Sequence, residues 1–354
     1  MGSINFSHGG NIYAIKEKYG KKVIDFSASI NPLGLPQSTE NILSRIPEAI
    51  THYPDPEAKK LTSAVARYLK INEENILVGN GSIELIYLIA QAIQPKTTLI
   101  LTPSFSEYER ASRCLKSKIT FVNLNPEKGF LWDVRDFKGC SDLLFLCNPN
   151  NPTGNLTLTD PAAIKNFPAK LTVIDESFMD FLEDEKKYTF LRQAIASQKI
   201  IVLRTFTKFF ALAGLRIGYL VAHKNVIRKL KAYQIPWSVN VFAQSAAEAA
   251  LSDKKYMKKT RALIEKEREF IFTGLSAIKG LAPYPSVANF ILVKIKNNLM
   301  NAAGLRQKLI QKGILIRDCA NFRGLNNKYF RVAIRLRADN LRLLKALQEI
   351  FEQN

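Results

Sequence analysis

The sequence predicts an α/β fold: a mostly parallel seven-stranded sheet between helices, with a smaller α+β part drawn from both termini. Seven short apolar runs, at 75–78, 97–101, 119–124, 143–147, 171–174, 200–203 and 217–222, are continuous rather than alternating. That is the pattern of strands covered on both faces. Stretches with helical apolar spacing lie between them, as right-handed parallel crossovers require. Five runs also end in a polar or glycine-rich cluster: Gly79-Asn80-Gly81-Ser82, Thr102-Pro103-Ser104-Phe105, Asn148 to Gly154, Asp175-Glu176 and Thr205 to Lys208. Ligands of such sheets sit at the carboxyl ends of the strands.

Taken in order, Ser7-His8-Gly9-Gly10-Asn11 opens the chain and leads into a short amphipathic stretch to Tyr19. Residues 23–27 read as a strand, and Pro32, Gly34 and Pro36 make 28–36 an irregular, fixed segment. A helix is expected over 38–49, a rigid loop at His52-Tyr53-Pro54-Asp55-Pro56, and an amphipathic helix over 59–70. Within the alternating part, helices are expected at 83–92 and 106–115. After residue 223 the pattern changes to helices at 241–252 and 254–279, a strand at 289–295 and a helix at 301–312. Strands at 314–317 and 329–335 and a final amphipathic helix over 340–353 follow. The expected organisation is an N-terminal arm with part of a small domain (1–45), a large domain (46–252) and a C-terminal small domain (253–354).

With 354 residues, 47% hydrophobic and 23% charged, the chain has material for a large core. No apolar run is long enough to span a bilayer, and residues 1–10 lack the basic-then-apolar pattern of a signal peptide. A cytoplasmic protein is expected, with no membrane partner. Cys114, Cys140, Cys147 and Cys319 have no paired ligand spacing and suit a reducing compartment; His8, His52 and His223 are far apart, so no metal site is expected. The net charge of +20 raises nucleic-acid binding as a possibility. The basic residues, however, are mostly lysines spread along the chain, and no recognition-helix or RNA-binding signature is present. The expected reading is a solvated basic surface.

The stretch Thr205-Phe206-Thr207-Lys208 through Arg216 and Gly218-Tyr219 places a lysine between hydroxyls and aromatics, flanked by two buried strands. A lone lysine is ordinarily solvated; here it sits among the strand-end clusters. Lysine that attacks an aldehyde is the chemistry of pyridoxal 5'-phosphate (PLP) sites, which also need a buried carboxylate to keep a pyridine nitrogen protonated. Asp175, ending an apolar strand, is placed for that. A phosphate needs N–H donors at a helix start, hydroxyls and an arginine: Gly81-Ser82, Thr205, Thr207 and Arg216 offer them. The absence of Gly-Lys-Ser/Thr excludes a nucleotide P-loop. In Asn148-Pro149-Asn150-Asn151-Pro152-Thr153-Gly154, two prolines and a glycine fix a loop from which Asn151 offers both a donor and an acceptor.

Asn-Asn-Pro-Thr-Gly, then Asp-Glu, then Thr-x-x-x-Lys with Gly-x-Arg-x-Gly downstream resembles the fold-type I aminotransferase superfamily, from about residue 5 to the C-terminus. The resemblance implies an aspartate-aminotransferase-like fold, PLP as cofactor and a homodimer. It implies Lys208 as the lysine that binds the cofactor covalently, Asp175 as the pyridinium partner and Asn151 as partner of the ring hydroxyl oxygen. It also implies that Phe105 stacks on the ring and that Tyr53 reaches the cofactor phosphate of the other subunit. Phe178 departs from the pattern, since many relatives place a tyrosine there.

A narrower resemblance, to the threonine-phosphate decarboxylases of cobalamin biosynthesis, is carried by His8-Gly9-Gly10-Asn11-Ile12, Asp25 to Gly34, Pro236-Trp237-Ser238-Val239-Asn240 and Arg317-Asp318-Cys319-Ala320-Asn321. It implies a phosphorylated amino acid as substrate. Arg331 would hold its carboxylate, and Arg317 and His8 its phosphate, with Gly9, Ser29 and Asn151 beside them. Ser29 stands where these decarboxylases usually have asparagine, which brings in serine phosphate, giving ethanolamine phosphate, as a substrate beside or instead of threonine phosphate. The alternatives are a histidinol-phosphate aminotransferase and a nucleic-acid-binding regulator on the same fold. The regulator would show an added DNA-binding domain or a lost lysine, and the sequence has neither.

Overall fold

The computed structural model describes residues 8–20, 23–44, 47–296 and 299–352. Ser7 and the rest of 1–7, residues 45–46 within the expected 38–49 helix, and Gln353 at the end of the last helix lie outside the described residues.

The strands are β1 (Ile24–Asp25), β2 (Ile76–Gly79), β3 (Thr97–Thr102), β4 (Lys118–Asn123), β5 (Ser141–Cys147), β6 (Ala169–Asp175), β7 (Ile200–Thr205) and β8 (Gly218–Val221). They continue with β9 (Leu281–Pro283), β10 (Phe290–Ile295), β11 (Ile314–Leu315), β12 (Arg317–Asp318) and β13 (Tyr329–Ala333). The seven-stranded sheet has the order β2-β8-β7-β6-β5-β3-β4. Every neighbouring pair in it is parallel except the two made by β8.

Strand pleating explains why these runs are apolar throughout. In β5, Leu144 and Leu146 join one core with Leu99, Leu101, Ile174 and Val202. Leu143 and Phe145 join the core on the opposite face with Ile100, Val173, Ile201 and Leu203. Alternate side chains leave on opposite faces, so a strand buried on both needs no polar alternation. Each such Leu or Ile contributes about 1.5–3 kcal/mol of burial.

β12-β13-β10-β9 form a four-stranded antiparallel sheet, and the N-terminal arm makes a separate two-stranded sheet beside it. β1 pairs in parallel with β11, and the Phe26 carbonyl accepts from Ala333 N–H at 2.8 Å. The arm is stapled a second time at Asn31. Its backbone N–H donates to the Lys208 carbonyl (3.0 Å) and its amide to the Phe209 carbonyl (2.8 Å).

Several elements differ from the sequence reading. The single strand expected at 314–317 is two, because β11 pairs with the arm and β12 with β13. The helix expected at 38–49 is Gln37–Leu43, followed by a 3-10 turn Pro47–Thr51. The last helix begins at Arg337, a turn before the expected start. Helix Lys224–Lys231, capped by the His223 side chain, and strand β9 were not anticipated. Among the described residues no helix is long and apolar enough to cross a membrane, and no cluster of metal-ligating side chains is present.

Candidate active site

All five strand-end clusters meet at one edge of the sheet, around a cavity of ≈ 400 Å³. Lys208 lies on its wall, half-buried, with Asp175, Thr205, Thr207 and Arg331 also lining it. No hydrogen bond engages the Lys208 amine among the described residues. Burial, and then the charges of Arg331 and Arg216, lower its pKa to about 8 against the pull of Asp175 and Asp25. At that value a far larger fraction of the amine is free near neutral pH than on an ordinary surface lysine, and the free amine is the nucleophile.

Asp175 ends β6 and is buried. Its Oδ2 accepts from the Tyr108 hydroxyl (2.7 Å), and its Oδ1 accepts from the Ser177 hydroxyl (2.5 Å) and N–H (2.9 Å). Burial pushes the carboxyl upward, and these donors and the Lys208 charge oppose that shift. Tyr108 itself is held by a stacked ring contact with Phe145 (4.9 Å) and an edge contact with Phe105 (5.7 Å).

The anion-binding corner is built from close backbone approach. Helix Gly81–Ile93 starts at a glycine with φ +77°, a region that disfavours any other residue. A Cβ there would also lie 2.6 Å from Nη2 of Arg216. Gly218, the first residue of β8, sits between the ends of β2 and β7, where a Cβ would come within 2.9 Å of the Ser82 nitrogen. The Thr207 N–H donates to the Thr205 hydroxyl (3.1 Å), and Arg216 anchors one nitrogen on the Ala213 carbonyl (3.0 Å).

The opposite wall comes from the two ends of the chain. Arg317 and Arg331 are register partners across β12 and β13. Arg331 donates to Asn151 Oδ1 and to the Ser27 carbonyl (3.0 Å), and lies over the Phe290 ring (4.7 Å). Its buried Nε has no partner among the described residues, and burial lowers its pKa to about 10. Arg317 donates to Asn321 Oδ1 (2.7 Å) and lies over Phe322 (5.1 Å). A Cβ on Gly9 would overlap the Ser27 carbonyl, and the Gly10 N–H donates to the Ser27 hydroxyl (2.8 Å), so the arm lies flat on this segment. His8 thereby reaches the cavity, pairing its Nε2 with Glu107 (2.8 Å). Ser29 is 1% exposed and its hydroxyl has no partner among the described residues, although it lines the cavity.

The cavity thus brings together His8, Gly9, Ser29, Ser82, Phe105, Asn151, Asp175, Thr205, Thr207, Lys208, Arg216, Arg317 and Arg331, with Gly81 packed behind Arg216. Tyr53 stands apart: it is 83% exposed and its ring meets Trp237 at 5.1 Å. Sequence reasoning does not find Tyr108, Ser177 or Glu107, and it quotes Asn321 only as part of the Arg317 stretch, without a role. Ser177 had a signal, since a hydroxyl two residues after a carboxylate closes a local turn. Phe178, where many relatives place a tyrosine, makes an edge-type ring contact with Phe290 (5.0 Å).

Comparison with known proteins agrees with this architecture. The family model described as aminotransferase class I and II matches residues 21–347. The chain is 36% identical to the threonine-phosphate decarboxylase of Salmonella typhimurium, over 99% of this chain and 98% of that one. The crystal structure of L-threonine-O-3-phosphate decarboxylase from Porphyromonas gingivalis superposes with a TM-score of 0.83 at 29% identity, covering 92% of this chain and 99% of that one. The histidinol-phosphate aminotransferase structure from Clostridium acetobutylicum has the same TM-score at 30% identity, covering 93% and 99%. With a family model spanning nearly its whole length, the chain belongs to the aminotransferase class I and II family.

Proposed function

We propose that the chain is a PLP-dependent decarboxylase that converts L-threonine O-3-phosphate to (R)-1-aminopropan-2-yl phosphate for cobalamin biosynthesis. The observation that carries the reading is the pairing of Arg317 with Arg331 at one register position beside Lys208. Like charges set directly opposite each other destabilise a sheet. Two buried guanidinium groups at a cavity wall fit a ligand with two anionic groups, and a phospho-amino acid has a carboxylate and a phosphate.

The residues fit the cofactor. The Lys208 amine is suited to an aldehyde, the Asp175 carboxylate to a pyridinium, and the Gly81-Ser82 helix start with Thr205, Thr207 and Arg216 to a phosphate. Phe105 offers a ring face, and the amide of Asn151 is available to a ring oxygen while its Oδ1 is held by Arg331. PLP, when bound, supplies an electron sink for the charge that develops at the substrate α-carbon. Arg331 holds the substrate carboxylate, and Arg317 and His8 hold its phosphate. Those two clamps set the orientation that selects carbon dioxide loss, and holding a reactant in place is worth several kcal/mol. Lys208 returns the proton to the α-carbon. Tyr53, exposed in the single chain, is assigned to the partner subunit's cofactor site in a homodimer.

The test offers threonine phosphate and serine phosphate to the PLP-loaded protein with and without 2-oxoglutarate. Carbon dioxide release without a keto acid is expected. Glutamate formation from 2-oxoglutarate, with the carboxylate retained, would overturn the reading in favour of a transaminase acting on a substrate such as histidinol phosphate. Serine phosphate is expected to react as well, because one methyl is worth only about 1–3 kcal/mol of discrimination.

A further inference from the structure

Behind the site, on the face of the sheet turned away from the cavity, Arg204 is 0% exposed and surrounded by three carboxylates. Its Nη2 lies 2.7 Å from Glu176 Oε2 and its Nε donates to the same oxygen at 2.9 Å. Its Nη1 reaches Asp180 (3.2 Å) and Glu185 (3.1 Å). Glu176 is fully engaged: Oε2 also accepts from the Thr189 hydroxyl (2.8 Å), and Oε1 accepts from the Phe190 N–H (2.7 Å).

The sequence positions of this pair matter more than its burial. Glu176 follows Asp175, and Arg204 precedes Thr205. Alternate residues of a strand leave on opposite faces, so Asp175 and Thr205 line the cavity while their neighbours meet behind it. The β6–β7 ladder reaches its last pair at Asp175 and Leu203, and one further backbone bond runs from Glu176 N–H to the Leu203 carbonyl (2.9 Å). Beyond that point the two chains diverge into the Ser177 and Thr205–Lys208 loops. Of the side-chain ties that Arg204 makes across the divergence, the one to Glu176 lies next to the cavity residues, while those to Asp180 and Glu185 lie further along the chain.

We propose that Arg204 and Glu176 are positioning residues that fix the spacing between the Asp175 carboxylate and the Thr205–Lys208 loop, and so set cofactor affinity from outside the cavity. A buried charge pair often adds little net stability compared with an apolar replacement, so a role in fixing geometry accounts for what packing alone does not require. The proposal rests on the reading that PLP binds at Lys208.

The experiment compares Glu176→Gln with Asp180→Asn. Both remove one carboxylate from Arg204, but only Glu176 adjoins a cavity residue. The PLP dissociation constant and the pH midpoint of the bound-cofactor absorbance are measured for each, with thermal melting as a folding control. Glu176→Gln is expected to weaken PLP about tenfold, the lower end of what losing an orienting partner costs at other sites. It is also expected to move the absorbance midpoint, while Asp180→Asn leaves both readouts as in the parent. Equal effects from the two substitutions would show a general structural network and overturn the proposal. If Glu176→Gln fails to fold, the triple variant Arg204→Met/Glu176→Met/Asp180→Asn takes its place, because removing the buried charges together is tolerated better than stranding one of them. Parent-like PLP affinity in that folded triple variant would equally overturn it. A parent protein that takes up no PLP defeats the functional reading and the clamp with it; a parent that binds PLP, with variants indistinguishable from it, defeats the clamp alone.

Discussion

The Tyr108 hydroxyl donates to Asp175 Oδ2 at 2.7 Å, from a helix that starts only two residues after Phe105. Tyr108 therefore connects two contributions to the site, a ring that borders the cavity and a carboxylate at its floor. The carboxylate is buried, and burial alone works against its charge. Donors from Tyr108 and Ser177 offset part of that cost, and a cationic partner in the cavity would offset the rest.

Asp175→Asn is expected to weaken PLP binding strongly without destabilising the cofactor-free protein at neutral pH. Losing one partner of a buried charge pair costs about 2–5 kcal/mol of binding. The sign for stability follows from the raised pKa: the unfolded chain releases this proton at lower pH than the folded chain does. The folded state therefore loses stability as pH rises from the ordinary carboxylate range through the raised value. The Asn variant lacks that loss, so its melting temperature relative to the parent should climb as pH rises from the ordinary carboxylate range. A relative fall over that rise would count against the assignment.

Lys208 yields a prediction with the opposite charge type. Covalent uptake of PLP by the cofactor-free protein should rise with pH around a midpoint of about 8, where the amine loses its proton. Arg331 is the largest charge holding that value down, so Arg331→Met should move the midpoint upward. Stopped-flow absorbance across pH 6.5–10 measures it. The stability sign also follows: between the lowered folded value and 10.5 the unfolded chain holds more protons, so this group's contribution grows as pH rises through that window.

How much of this was legible in the sequence depended on whether a residue's partners were local. Strands such as β5 and β7 were visible because burial on both faces leaves a continuous apolar run. The Lys208, Asp175 and Asn151 clusters were visible because strand ends repeat at βα spacing. The split between β11 and β12 was not, since Ile314, Leu315 and Ile316 are all buried and only pairing with a segment near residue 24 separates them. Glu107 resembles an ordinary first-turn helix carboxylate, yet it is 3% exposed because His8, 99 residues away, and Tyr87 close over it. Burial pushes that carboxyl up, but hydrogen bonds from His8 and Tyr87 hold it below the usual range. Tyr108 is read as core from its helical spacing; only its hydroxyl partner assigns it to the site.

Two glycine substitutions should separate the cofactor corner from the substrate arm. Gly81→Ala forces a side chain into left-handed backbone and against Arg216, so PLP affinity should fall together with a stability loss of about 1–2 kcal/mol. Gly9→Ala instead displaces the arm from Ser27 and with it His8. Its PLP absorbance should match the parent's while KM for threonine phosphate rises. An altered PLP affinity in Gly9→Ala, measured by titration, would show that the arm acts on the cofactor rather than on the substrate.

The register pairing of Arg317 with Arg331 makes the last prediction, because the two arginines are assigned different anions of one substrate. Arg317→Met should raise KM for threonine phosphate by about tenfold to a hundredfold, the range of one lost charge-assisted contact at 1.5–3 kcal/mol. The weak turnover of free threonine should barely change. Arg331→Met should reduce turnover of both, since both have the carboxylate. The same pairing predicts a stability effect of opposite sign. Two cations facing each other across β12 and β13 repel, and burial already lowers the pKa of each. In low salt, Arg317→Met should therefore melt no lower than the parent, and inorganic phosphate should raise the parent's melting temperature more than the variant's. A substantial loss of stability in Arg317→Met, with equal KM changes for phosphorylated and free threonine, would make Arg317 a structural residue and return the phosphate clamp to His8 alone.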